Sequence, residues 1–266
     1  MTFSPRCRCR ALGLSVTSES MKATTPTPAA FVEQLQALPS LPNVFNPWRD
    51  FDEENDSGSD APKMRAEHLK CYLEQRLKTT RLVLVAEAPS WRGAKFTGIA
   101  MTSERILRNE HPDIPASAVM LPIGQRTSSE KHFPMSLAEQ TATIVWSKLL
   151  DSGFRPDEFV LWNAFPCHPH KAGNPRSNRR PRLDELKVTA DVLPSLLNML
   201  GQPRVMAVGK VAERALSNRL RDSASPVRHP AMGGATSFRD AMTQFVEEFR
   251  RQDKMNSPGN RGGRSF

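Results

Sequence analysis

Apolar residues recur along this chain with two different periods. Between residues 61 and 78, Leu69, Leu73 and Leu77 fall at i, i+4 and i+8, which predicts a helix with one apolar face. The run "RLVLVA" (81–86) is continuously apolar, as expected of a strand buried on both faces. A second helix is predicted over 136–150, where Ser136 and Glu139 have the spacing of a capping box and Gly153 stands near the stop. "EFVLWNAF" (158–165) reads as another buried strand that ends in the polar Asn163. The stretch 184–200 is helical in pattern, with Pro194 either kinking it or opening its second half. "PRVMAVG" (203–209) predicts a third strand running into the helical "KVAERALSNRL", and "SPVRHP" (225–230) a short fourth one. A closing amphipathic helix is expected over 236–251.

Strand and helix alternate through most of residues 81–251. That alternation predicts a single three-layer α/β/α domain around a short, mainly parallel four-stranded sheet. Residues 1–30 are expected to be a disordered extension, 31–251 the α/β domain, and 252–266 a disordered basic tail. The acidic, turn-rich segment 46–64 reads as a surface excursion. In open α/β sheets ligands bind beyond the carboxyl ends of the strands. Attention therefore falls on the loops 87–98, 163–182 and 228–235, each of which opens with polar residues at a strand exit.

Charge changes the picture locally rather than globally. The formal net charge is +9, but the tails 1–30 and 251–266 each hold four basic residues and one acidic residue, so +6 of it belongs to them. The sharper signal is "HKAGNPRSNRRPR" (170–182), where Lys171, Arg176, Arg179, Arg180 and Arg182 occur without an acid. Such a loop either seeks phosphate or is simply solvated. No apolar run is long enough to cross a bilayer, no secretory signal is evident, and the chain is read as cytoplasmic, with no membrane partner. The four cysteines, Cys7, Cys9, Cys71 and Cys167, show neither a disulfide framework nor a zinc spacing.

Glu87 follows five apolar or small residues, a costly place for a charge unless a ligand or a backbone donor meets it. Its carboxylate is suited either to orienting water or to capping loop N–H groups. Asn163 at a strand end either caps a turn or presents an acceptor and a donor to a planar edge. His229 is either a satisfied surface group or a hydrogen-bond donor in a turn made pliable by Gly233 and Gly234.

Taken together, these three loops resemble the uracil-DNA glycosylase superfamily, and in particular its bacterial branches with a Gly-Glu-Ala-Pro-Gly first motif. "AEAPS" (86–90) followed by "GAKFTGIA" (93–100) is similar to that motif and its Phe-Val-Gly. "WNAFPCHPHKAGNPRSNRRP" (162–181) resembles the Asn-bearing strand end and its Asn-Arg-x-Pro, and "RHPAMGG" (228–234) the closing His-Pro motif. The resemblance covers about residues 80–250 and implies a DNA-repair glycosylase that excises uracil or another deaminated base from DNA. It implies Glu87 and His229 as catalytic residues, with Ala88, Phe96 and Asn163 as the base-binding set. DNA contacts would come from Lys171, Arg176, Arg179, Arg180, Arg182, Arg228, Met232 and Gly233, with Met232 as an apolar wedge.

The sequence departs from the pattern at Ala86 and Ser90, which stand where Gly is usual, and at Ala88, where the best-known branch has an acid. Some relatives carry a four-Cys iron–sulfur cluster. Here Cys7-x-Cys9 has the wrong spacing and no Cys follows Cys167, so no cluster, metal or other cofactor is expected. The expected partner is DNA bearing the damaged base, met by a monomer. Two competing readings remain: a binding module of the same fold without turnover, and a small-molecule nucleobase enzyme using the same crevice.

Overall fold

The computed structural model of the protein describes residues 26–217, 224–231 and 233–256. Its elements run α1 (Pro28–Gln36), β1 (Val44–Phe45), α2 (Ala61–Glu74), β2 (Leu82–Ala86), α3 (Ala94–Thr97), α4 (Glu104–Leu107), α5 (Gln140–Asp151), β3 (Phe159–Asn163) and β4 (His168–Pro169). They continue with α6 (Leu183–Val188), α7 (Val192–Met199), β5 (Arg204–Val208), α8 (Lys210–Ser217), β6 (Ala224–Val227) and α9 (Ala235–Asn256). The main sheet has four strands in the order β3-β2-β5-β6, all parallel. Every residue of β2 and β3 is buried, because helices cover both faces and neither side of the pleat meets water. Against that sheet α8 packs on β5 and β6, α5 meets α9, and α1 joins α2 and α7.

Several local expectations are revised by the backbone. The helix predicted over 136–150 starts at Gln140, with Glu139 as its N-cap residue. The Ser136–Glu139 capping box does not form, and the Ser136 hydroxyl is buried without a partner. The stretch 184–200 is two helices. The break lies at Thr189–Asp191, and Pro194 sits in the first turn of α7, where its missing N–H deprives the helix of nothing. α1 begins at Pro28, capped by the Thr27 hydroxyl, so residues 28–30 are helical, and α9 continues to Asn256.

The segment 46–64 is no loose excursion. Asp56 takes two hydrogen bonds from the guanidinium of Arg65, at 2.7 and 3.1 Å, with both side chains out of solvent. Arg65 also donates to the carbonyls of Pro47 and Asp50. Asp52 meets the buried Lys95 ammonium at 2.6 Å. The Arg65 contacts fold the acidic segment back onto α2, and the Asp52–Lys95 pair, 43 positions apart, ties it to the loop after β2. A second unforeseen tie is the antiparallel pair β1–β4, which sets Val44 opposite Pro169 and Phe45 opposite His168 and so fixes the start of the basic loop.

Candidate active site

Because the four strands are parallel, their carboxyl ends share one edge, and the loops leaving them enclose a cleft of about 1280 Å³. Its walls come from 87–92 after β2, 178–180 in the basic loop, and 227–231 after β6, the three loops singled out by sequence. Two further walls were not foreseen: 209–213 at the start of α8, and 138–141 at the start of α5. The loops are braced against one another. The β2–β3 ladder continues past the strands through Ala164 N–H to the Ala86 carbonyl and Phe165 N–H to the Glu87 carbonyl. The Trp91 N–H donates to the Asn178 side chain, and His168 Nδ1–H donates to the Pro89 carbonyl at 2.8 Å. Burial holds the His168 imidazole down to about 4, so it is neutral and a brace rather than a charge.

Glu87 and Ala88 both line the cleft. Burial raises the Glu87 carboxyl above the usual range, while the Arg180 guanidinium, 4.0 Å away, pulls it back. His229 also lines the cleft, its Cβ against Gly209, whose φ of +90° and lack of a side chain make room for it. Its Nδ1 accepts the Ala231 N–H at 3.1 Å, so the ring proton belongs on Nε2. Burial lowers its pKa below the ordinary 6.5, which keeps the imidazole neutral at pH 7 with one N–H to offer.

Phe96 and Asn163 do not line this cleft. Phe96, in α3, is fully buried, with the Phe133 ring packed against it at 5.8 Å in an edge-on arrangement. Phe133 in turn meets Trp91 at 6.2 Å and lies under the Arg176 guanidinium at 5.1 Å. Asn163 ends β3 opposite Ala86 and faces a crevice walled by Trp48, Pro89, Ala94, Gly98 and Trp162, too narrow for a water molecule. Pro89 borders both spaces, so the crevice adjoins the cleft. The Asn163 amide makes no hydrogen bond within the described residues, and neither does the buried Trp162 indole N–H.

The basic loop divides into two groups. Arg179 forks onto the buried Glu185 at 2.7 and 2.8 Å and also donates to the carbonyls of His170 and Asn43. Arg182 meets Glu185 and Asp184, and Arg176 meets Asn55 and Glu54. These three guanidinia are engaged with the fold. Lys171 and Arg180 are exposed, as is Arg228 on the cleft wall. Gly233 is exposed with φ +78° and open space around it, and Met232 lies outside the described residues.

Cleft residues that sequence reasoning missed include Lys210 and Glu213 on α8 and Glu139 before α5. Glu139 was assigned to a cap, and nothing local to its sequence distinguishes a capping glutamate from one turned into a cleft. Among the described residues no group of three His, Cys, Asp or Glu side chains is placed to hold a metal. Cys167 is buried, its thiol pushed up to about 12 by burial. No helix among the described residues is long and apolar enough to cross a membrane.

The family model described as the uracil DNA glycosylase superfamily matches residues 75–250. Among solved structures, the fold is similar to that of wild-type SMUG2 from Pedobacter heparinus, with a TM-score of 0.54 and 13% sequence identity over 86% of this chain and 99% of that one. No curated protein matches the sequence significantly.

Proposed function

The chain belongs to the uracil DNA glycosylase superfamily, and we propose that it hydrolyses the N-glycosidic bond of uracil, or of another deaminated base, flipped out of DNA to leave an abasic site. The observation that carries this reading is the convergence of Glu87 and His229 on one cleft at the carboxyl edge of the sheet, with Arg180 and Arg228 exposed at its wall. A base can be attacked only after it leaves the stack, so the protein needs cations for the backbone and a pocket for the extruded base.

In the reaction, water oxygen bonds to the sugar carbon, the carbon–nitrogen bond breaks, and its electron pair leaves with the base. His229 Nε2–H is a donor for the base oxygen where that charge grows. Such a donor acts while neutral, because a fixed dipole in a dry site needs no reorganisation. Glu87 orients the water and steadies the positive sugar, its charge kept by Arg180 nearby. The unpaired Asn163 amide supplies the acceptor and donor that would separate uracil from cytosine. For the base to reach it, the crevice beside Pro89 must widen, since in the resting protein it admits no water.

The second reading is a DNA-binding module of the same fold without turnover; holding a flipped base needs Phe96 in either case, so its burial against Phe133 does not separate the two. End-labelled oligonucleotides with a single uracil, single-stranded or opposite G or A, decide between them after alkali treatment. Cleavage at the uracil that is lost in Asn163→Ala and His229→Ala supports the glycosylase. Retained binding without cleavage, on hypoxanthine and xanthine as well, supports the binding module.

A further inference from the structure

The reaction above leaves two cleft carboxyls unused, Glu139 and Glu213, and of these Glu213 is exposed whereas Glu139 is partly buried. As the N-cap residue of α5 it has extended backbone, φ −124° and ψ 120°, yet its side chain takes no hydrogen bond from the helix it precedes. The side chain is turned instead beneath the loop after β2. A Cβ built on Gly93 would come 2.1 Å from Glu139 Oε2 and 2.8 Å from its Cδ, so any side chain there would push the carboxyl aside. Oε2 has no solvent-accessible surface and no partner, although the residue as a whole keeps some exposure to the cleft. Among the described residues the Ser90 hydroxyl alone favours its ionised form, and burial outweighs it, raising the carboxyl to about 7. Around the cleft stand Glu87, Arg92, Arg180, Lys210, Glu213 and His229, and none of them acts on the carboxyl as an ion-pair partner.

Ser90 is the hub of the turn that lies on this carboxyl. Its carbonyl accepts the N–H groups of Gly93 and Lys95, and its hydroxyl accepts that of Arg92. Trp91, which lines the cleft, rides on the same turn. We propose that Glu139 is a positioning residue that couples protonation to seating of the Ser90–Gly93 turn at the cleft, binding a proton when the turn seats on its carboxyl and releasing it when the turn lifts. The idea rests on the glycosylase reading, because it assigns the loop to the base site. The direction follows from linkage. A seated carboxyl holds its proton up to about pH 7, whereas a lifted, solvated one loses it near the ordinary 4.5. Between those values seating weakens as pH rises, by up to about tenfold per pH unit, and above pH 7 it no longer changes.

The test is a pH series from 5.5 to 8.5, with KM and kcat on a uracil oligonucleotide and Kd for the same DNA carrying an abasic-site analogue. For the wild-type chain, KM and Kd should rise about tenfold or more between pH 5.5 and 7 and then level off, with kcat changing much less. Glu139→Gln keeps the shape without the titration, so its KM and Kd should stay low and flat. Gly93→Ala, which expels the carboxyl from under the turn, should also lose the pH dependence while binding weakly throughout. A Glu139→Gln variant whose pH dependence matches the wild type overturns the proposal, as does a wild type whose KM and Kd do not vary. If the wild type excises no base at any pH, the glycosylase reading fails by itself, and the Kd series still decides whether the loop is proton-linked.

Discussion

Gly234 offers the most direct test of how the fold holds His229. A Cβ built there would lie 2.0 Å from the His229 carbonyl oxygen and 3.1 Å from that of Ala231. Real Cβ atoms essentially never come within 3.0 Å of such a neighbour, so in Gly234→Ala the turn must move by about 1 Å, and the imidazole with it. A misplacement of that size in a preorganised site costs about a hundredfold in rate, or about 2.7 kcal/mol of barrier. Single-turnover excision should therefore slow by about two orders of magnitude while DNA affinity changes little. The control is Gly233→Ala. Its Cβ would meet nothing within 4 Å, so only the strain of φ +78° remains, a cost of about 1 kcal/mol in stability with little effect on rate. Rates within threefold of wild type in Gly234→Ala, with the His229 ring ¹⁵N resonances unmoved, would refute the steric argument.

Three other outcomes are expected. Arg65→Ala strands the Asp56 carboxylate in the interior and should lower unfolding stability by about 3–5 kcal/mol in urea titrations, whereas a change below about 1 kcal/mol would mean the pair is not buried in solution. Arg180→Ala should reduce the salt slope of DNA binding by about one without altering stability, while Arg179→Ala, which unpairs the buried Glu185, should destabilise the protein; the reverse assignment would overturn the division of the basic loop. Burial holds His68 and His168 down to about 4, below the ordinary 6.5. Their contribution is therefore complete above pH 6.5 and is lost as pH falls towards 4, by up to about 3 kcal/mol each. Glu139 works the other way over the same range, gaining as pH falls, but two histidines outweigh one carboxyl. Urea unfolding at pH 7.5 and 4.5 should show the net loss, and equal stabilities would contradict it.

Much of the fold was legible because its causes are local. A continuous apolar run such as Leu82–Ala86 reads as a strand covered on both faces, and three such runs and a short fourth strand, separated by helical periods, leave a parallel sheet as the economical arrangement. The carboxyl-edge rule singled out the loops that wall the cleft, and Glu87 and His229 lie on two of them. Helix boundaries were less secure where two signals of equal local strength competed. Ser136 and Glu139 have capping-box spacing, yet the structure uses the glutamate to floor a loop more than forty residues upstream.

What only the tertiary structure decided is which charges are free and which side chains meet. Arg176, Arg179 and Arg180 look alike in a row of cations. One is paired with Glu54 across 122 positions, one is locked on the buried Glu185, and one is left to solvent beside Glu87. Phe96 and Asn163 sit at the sequence positions the resemblance assigns to a base pocket, yet one is covered by Phe133 and the other faces a crevice that admits no water. The physical reason is the same in each case. Periodicity, capping and turn preference act over a few residues and are written in the chain, whereas desolvation and ion pairing depend on partners brought from far along it, and those are chosen only when the core packs.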